Sequence, residues 1–290
     1  MIRSATAFLT VLVSAPVAAQ TAMSFTLADD NATATVSRRN GATVLRVGID
    51  GRAPAASPDN LFISNYLFRI GDASGERPIA DALGMPSVAA QTAGSITFAA
   101  ANATLGATLK FSLDGSADGS GTAIFTKAVT FTNLSGGALD LRVFDYSDFD
   151  IRFDPAAQRD TATLVGPGNV LTQSASVPFE IDSRSTVAPD RYQISGFLPL
   201  YQALFLDSDG PTTLDNTPAP GQPFPATPGD TAFAFQFNRT LLPGQSFSVA
   251  QISRFAPSVP EPATWATMLI GFGLVGAALR RGKGLAPSPA

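Results

Sequence analysis

The chain of 290 residues is 45% hydrophobic and 14% charged, carries a net charge of −4, and contains neither cysteine nor histidine. The first absence excludes disulfides, thiolate nucleophiles and thiolate metal sites. The second removes the Ser-His-Asp triad, Cys-His pairs, most zinc sites and the usual general base near neutral pH, so any chemistry needs a carboxylate pair, a Ser-Lys dyad or an oxygen-ligand metal site.

At the N-terminus, Met1-Ile2-Arg3-Ser4 supplies one positive charge, Ala5–Ala15 an apolar stretch, and Pro16-Val17-Ala18-Ala19 a small-residue cleavage site. This is the order of a secretory signal peptide, residues 1–19, cut by signal peptidase between Ala19 and Gln20. The body that follows, 20–256, is more acidic than the whole chain, because Arg3, Arg280, Arg281 and Lys283 lie outside it against the single Glu261. That balance does not suit nucleic acid or an anionic membrane surface. About 240 residues suffice for one large β core.

Along the body, short apolar or β-branched runs alternate with Gly, Asn, Asp and Pro turns, the pattern of an antiparallel sandwich. Strands are expected at Ala42–Ile49, Leu61–Ile70, Ser95–Ala99, Thr104–Leu113, Thr122–Thr132, Leu139–Phe153, Thr231–Asn238 and Gln245–Phe255. Phe233, Phe235 and Phe237 alternate, as do Phe247 and Val249, so each strand buries one face. Asn133–Gly137 and Leu242–Gln245 read as turns, and Leu200–Leu206 as a turn or two of helix. Residues 217–229 hold five prolines, whose missing N–H groups predict an extended surface loop. The fold class is therefore all-β, an antiparallel β-sandwich of jelly-roll or Ig-like type, in a single domain.

The densest acidic stretch is Asp145–Asp154. On a strand, Asp148, Asp150, Arg152 and Asp154 share one face, and Phe149, Ile151 and Phe153 the other. Asp148 and Asp150 are close enough to share a Ca²⁺, a hard cation that takes oxygen ligands; the plainer reading is a solvated polar face balanced by Arg152. Asp114–Gly121 and Asp207–Gly210 lack the full calcium-loop spacing and read as turns. Glu76 and Glu180 are the only glutamates of the body, and nothing pairs them as a glycosidase needs. Lys110 and Lys127, the lysines available to a Ser-Lys dyad, fall within strands and are expected to face outward. Tyr66, Tyr146, Tyr192 and Tyr201 are read as packing residues, with stacking on sugar rings as the alternative.

The last segment, 257–290, has a different character. Pro260-Glu261-Pro262 fixes an extended, accessible stretch, followed by fifteen uncharged residues, Trp265–Leu279, and then Arg280-Arg281-Gly282-Lys283. Fifteen residues give roughly 22 Å of helix, short against a hydrocarbon core of about 30 Å. Counting about 263–281, with snorkelling basic ends, brings a transmembrane helix within reach, its basic end cytoplasmic. The G-x-G-x-x-G within Gly271–Gly276 lacks the strand before it that dinucleotide binding needs, and Gly273 with Ala277 is better read as a helix-packing pair.

This tail resembles the PEP-CTERM sorting signal of Gram-negative bacteria, through Pro260, Glu261, Pro262, Trp265, Ala266, the Gly271–Gly276 run, Arg280 and Arg281. The resemblance implies recognition by an exosortase, removal near the Pro-Glu-Pro, transient anchoring in the inner membrane, and a setting of exopolysaccharide and biofilm at the cell envelope or outside it. The expectation for the body is a structural or interaction role without catalysis or a required cofactor. A polysaccharide-binding module, with or without Ca²⁺, is the alternative, and a carboxylate-dependent polysaccharide-cleaving enzyme the third reading.

Overall fold

The computed structural model describes residues 23–48, 53–72, 74–151, 160–165, 169–175, 179–206, 210–257 and 268–275. They belong to two compact units, Met1–Ala256 and Pro257–Ala290. In chain order the first unit runs β1 (Ser24–Asp29), β2 (Ala32–Ser37), β3 (Gly41–Val47), β4 (Ile63–Ile70), β5 (Arg77–Pro78), helix α1 (Ile79–Leu83) and β6 (Ser87–Gln91). Then come β7 (Ser95–Ala101), β8 (Leu105–Asp114), β9 (Ala123–Asn133), β10 (Leu139–Asp148), β11 (Asp160–Val165), β12 (Val170–Ala175) and β13 (Phe179–Ser185). It ends with β14 (Arg191–Gly196), helix α2 (Phe197–Phe205), β15 (Pro223–Gly229), β16 (Thr231–Leu241) and β17 (Ser246–Pro257).

An eight-stranded sheet, ordered β1-β2-β3-β4-β10-β16-β14 with β5 on β4, packs on a nine-stranded sheet ordered β15-β11-β12-β13-β17-β9-β8-β7-β6. Seventeen strands among the described residues exceed both the immunoglobulin and the eight-stranded jelly-roll plans. The β-sandwich expectation holds; those two finer plans do not. Each of the eight expected runs forms a strand, but Leu139–Phe153 is shorter than read, ending at Asp148.

The core between the sheets is built by alternation. Phe125, Val129 and Phe131 on β9 and Phe233, Phe235 and Phe237 on β16 point into it, each buried Phe contributing roughly 1.5–3 kcal/mol. The two turns read from sequence do not close hairpins; each carries the chain from one sheet to the other. Asn133 fastens them together, donating from Nδ2 to Gly137 O and Leu241 O at 2.7 Å each.

A second, smaller core lies outside the eight-stranded sheet. Ala232 and Ala234 alternate with the inward phenylalanines of β16 and leave room for α2, whose Leu200 and Leu204 pack with Ile63, Leu67, Phe144 and Tyr146. The central strands β4, β10 and β16 are thereby buried on both faces, which explains their near-continuous apolar runs.

The proline-rich segment is only partly a loop. Residues 223–229 form β15, the edge of the nine-stranded sheet, paired with β11. An edge strand tolerates missing N–H groups on its free side. In the second unit the described helix covers residues 268–275, about 12 Å long. Among the described residues no helix is long and apolar enough to cross a membrane, and the rest of the expected 263–281 span lies outside them.

Candidate functional site

Backbone register assembles an acidic cluster at one end of the eight-stranded sheet. Asp148, the last residue of β10, pairs with Ile63 on β4 and Ala232 on β16. The same register carried two residues onward sets Asp150 opposite Asp230, which stands just before β16. The backbone holds this exit: Phe62 N–H donates to Asp148 O at 3.1 Å and Asp150 N–H to Asn60 O at 3.2 Å. One carboxylate oxygen from each of Asp148, Asp150 and Asp230 then lies within 4.8 Å of the others. Asp148 is buried rather than solvated, because α2 and its loops cover this face. Arg152 and Asp154 lie outside the described residues.

Tyr146 is two residues before Asp148 on the same face of β10 and is fully buried. Its hydroxyl has no hydrogen-bond partner among the described residues. Burial, and then the charges of Asp148, Asp230 and Asp150 with the neighbouring Tyr201, hold the phenol far above its ordinary range. Nearby on β11, burial pushes the Asp160 carboxyl up to about 7, against the lowering effect of Gln173 and Thr231.

Helix α2 supplies an aromatic wall. Phe197, Tyr201 and Phe205 recur at every fourth position and so share a stripe. Tyr201 stacks on Phe205 at 4.7 Å between ring centroids, and Phe62 meets the edge of Phe197 at 4.9 Å. A cleft of about 500 Å³ opens here, lined by Asn40, Thr43, Asp59, Phe62, Asp150, Tyr201 and Phe205 among others. Phe62 is half exposed, at 50%. Asp59 is occupied in shaping the loop, accepting from Leu45 N–H at 3.0 Å and Leu61 N–H at 3.2 Å. The remaining polar groups and exposed ring faces make a surface suited to hydroxyl-rich rings.

Lys127 overturns its expected outward placement. It is 1% exposed, with Nζ 2.6 Å from Asp145 Oδ1 and donating to Ser147 Oγ at 3.0 Å. Burial lowers the ammonium pKa and raises that of the Asp145 carboxyl, while each partner's charge opposes the shift. The distances would suit a Ser-Lys dyad, but Ser147 is itself fully buried between the sheets, so no substrate reaches it. Lys110 faces outward as expected. Glu76 is tied up in a buried ion pair with Arg69 and accepts from Thr212 N–H at 3.0 Å. Glu180 lies on the outer face of β13 in the nine-stranded sheet, whereas β10 belongs to the eight-stranded one. Tyr66, Tyr146 and Tyr192 are packed, and Tyr201 alone of the four lines the cleft.

Sequence reading found Asp148 and Asp150 but not Asp230, Asp160 or Phe62. Asp230 had a weak signal, a Gly-Asp step just before the strongest alternation in the chain. Lys127 had a clearer one: it has the parity of Phe125, Val129 and Phe131 on β9.

Comparison with known proteins separates the body from the tail. In fold, the body is similar to β-sandwiches of proteins related to galactose mutarotase and aldose epimerase. It resembles the galactose mutarotase related enzyme of Lactobacillus acidophilus at a TM-score of 0.56 and 10% identity, over 82% of this chain and 99% of that one. It also resembles a bacterial glucoamylase solved with acarbose, at 0.53 and 10% identity over 83% of this chain and 32% of that one. A third likeness is to the GalM/aldose epimerase homologue of C. elegans, at 0.50 and 9% identity over 81% and 99%. At such identities these show the fold alone. The chain carries a PEP-CTERM protein-sorting motif at residues 258–282, which marks it as an exported, exosortase-sorted protein. The expected sorting residues Pro260, Glu261, Pro262, Trp265, Ala266, Arg280 and Arg281 fall in that range but outside the described residues, as do Ala19 and Gln20. No curated protein matches the chain by sequence.

Proposed function

We propose that the body is a non-catalytic polysaccharide-binding module of the cell envelope or extracellular matrix. Signal peptidase and an exosortase process its two ends, and the 263–281 segment anchors it in the inner membrane until sorting is complete. The cleft beside α2 carries the reading: the half-exposed ring of Phe62 and the partly buried ring of Tyr201 lie next to Asn40, Thr43 and Asp150. Sugar rings offer an apolar face for stacking and hydroxyls for hydrogen bonding, and such sites pair aromatic anchors with few polar groups. The sugar-related proteins among the similar folds favour the same reading by analogy only. Binding rather than cleavage fits a chain with no histidine and with the Lys127–Ser147 pair sealed in the core.

The test is affinity electrophoresis through gels containing exopolysaccharide from the producing cells, alongside an assay for released reducing ends. Retardation of the wild type, weakened roughly tenfold in Phe62→Ala and Tyr201→Ala, is the expected result. Unretarded migration would overturn the binding reading. Sugar release lost in Asp150→Asn would replace it with a carboxylate enzyme.

A further inference from the structure

The acidic cluster and the buried phenol beside it belong to one arrangement. Three carboxylates from two segments some eighty positions apart in sequence converge only because β10 and β16 pair in the register described, Asp148 opposite Ala232. Carboxylate oxygens brought this close form the hard-oxygen donor set that a divalent cation takes. The hydroxyl of Tyr146 is the independent sign of an occupant there. It is buried, sits in the field of the same three carboxylates, and meets no hydrogen-bond partner among the described residues. A buried hydroxyl in that condition loses its hydration and regains nothing, unless a water or ligand occupies the space before it.

We infer that Asp148, Asp150 and Asp230 form a Ca²⁺ site whose water shell reaches the Tyr146 hydroxyl. The oxygens lie within 4.8 Å of one another. Opposite ligands of a Ca²⁺ at about 2.4 Å stand up to about 4.8 Å apart, whereas Mg²⁺ at about 2.05 Å spans only about 4.1 Å and demands near-ideal octahedral geometry. Oxygens within that bound can be gathered around one Ca²⁺, whose ligand number and geometry are flexible. Three carboxylates, one oxygen each, supply three of the six to eight oxygens that Ca²⁺ takes, and waters complete the shell. A shell water donates to the Tyr146 oxygen and satisfies it. Asp150 also lines the aromatic cleft, so the ion stands at the edge of that cleft. It fastens the exit of β10 to the junction between β15 and β16.

The inference goes beyond the polysaccharide reading and stands without it, since the ion is held by the chain's own carboxylates. Equilibrium dialysis of the full-length chain in mild detergent, stripped with a chelator and then given radioactive calcium, tests it directly. One Ca²⁺ per chain is expected, with affinity at least tenfold weaker in Asp230→Asn and Mg²⁺ competing at least tenfold less well. Tyr146→Phe keeps the ring and folds. It is expected to leave the ion-free protein as stable as the wild type or more so, while reducing the rise in Tm that calcium produces. No binding up to about 10 mM, well above the range of roughly 10⁻⁴ to 10⁻³ M for extracellular calcium modules, would overturn the site. So would equal affinity in wild type and Asp230→Asn, or an unchanged calcium response in Tyr146→Phe. Gel retardation that persists under chelator separates the two readings, leaving the sugar site standing apart from the ion.

Discussion

A lysine between two sheets persists only where every part of its ammonium is answered. Lys127 reaches Asp145 and Ser147, and its Nζ lies 5.0 Å from the Tyr66 ring centroid. Removing one partner leaves the other charge buried and unpaired, so Lys127→Met should lower stability by about 3–5 kcal/mol. The double variant Lys127→Met/Asp145→Leu should recover most of that loss, since apolar replacement of a whole buried pair is often neutral. Urea unfolding of the single and double variants checks both. Asp160 gives a pH prediction. Its folded pKa of about 7 lies above the ordinary carboxylate value near 3.9. The folded state therefore binds the proton more tightly, and this contribution is complete below about pH 4 and lost as pH rises through 7. In chelator, Asp160→Asn should remove a slope of at most about 1.4 kcal/mol per pH unit across that window, and the variant should exceed the wild type at pH 8. Parallel wild-type and variant profiles would rule the assignment out.

Among the elements, β3 and β4 meet through a single paired position, Ala42 with Ser64. Gly41 enters that contact with φ of +72°, and a Cβ there would stand 2.4 Å from Ser64 O, a backbone atom. Gly41→Ala should therefore cost about 2–4 kcal/mol, seen as an earlier urea midpoint. Most of the eight-stranded sheet's centre was legible in sequence, because Leu61–Ile70 and Thr231–Asn238 carry the long apolar runs of doubly buried strands. β11, β12 and β13 were not, because their cores use small or polar groups: Gln173 and Ser183 are fully buried there, and such residues have no hydrophobic period. The turns at Asn133–Gly137 and Leu242–Gln245 were visible, yet local sequence cannot say whether a turn closes a hairpin or changes sheets. The site divides in the same way. Asp148 and Asp150 are neighbours in sequence and were found, whereas Asp230 joins them only through the pairing of distant strands.

For the whole molecule, the sorting motif at 258–282 follows directly on β17, which ends at Pro257. Mass spectrometry of both termini in native cells should give an N-terminus at Gln20 and loss of everything beyond the Pro260–Pro262 region, in an exosortase-dependent way. An intact 265–279 segment in both strains would leave a plain anchor instead. The strand that meets the tail is not an edge. β17 lies between β13 and β9 and is paired with β9 from Ser246 to Phe255. Should the processed protein be tethered by its new C-terminus, tension enters along the axis of an inner strand. It then loads two antiparallel ladders in shear, so that many hydrogen bonds must fail together. The outermost strand β1, pulled from its own end, would instead unzip one pair at a time. In that case an attachment point on β17 would make the fold a mechanically resistant link.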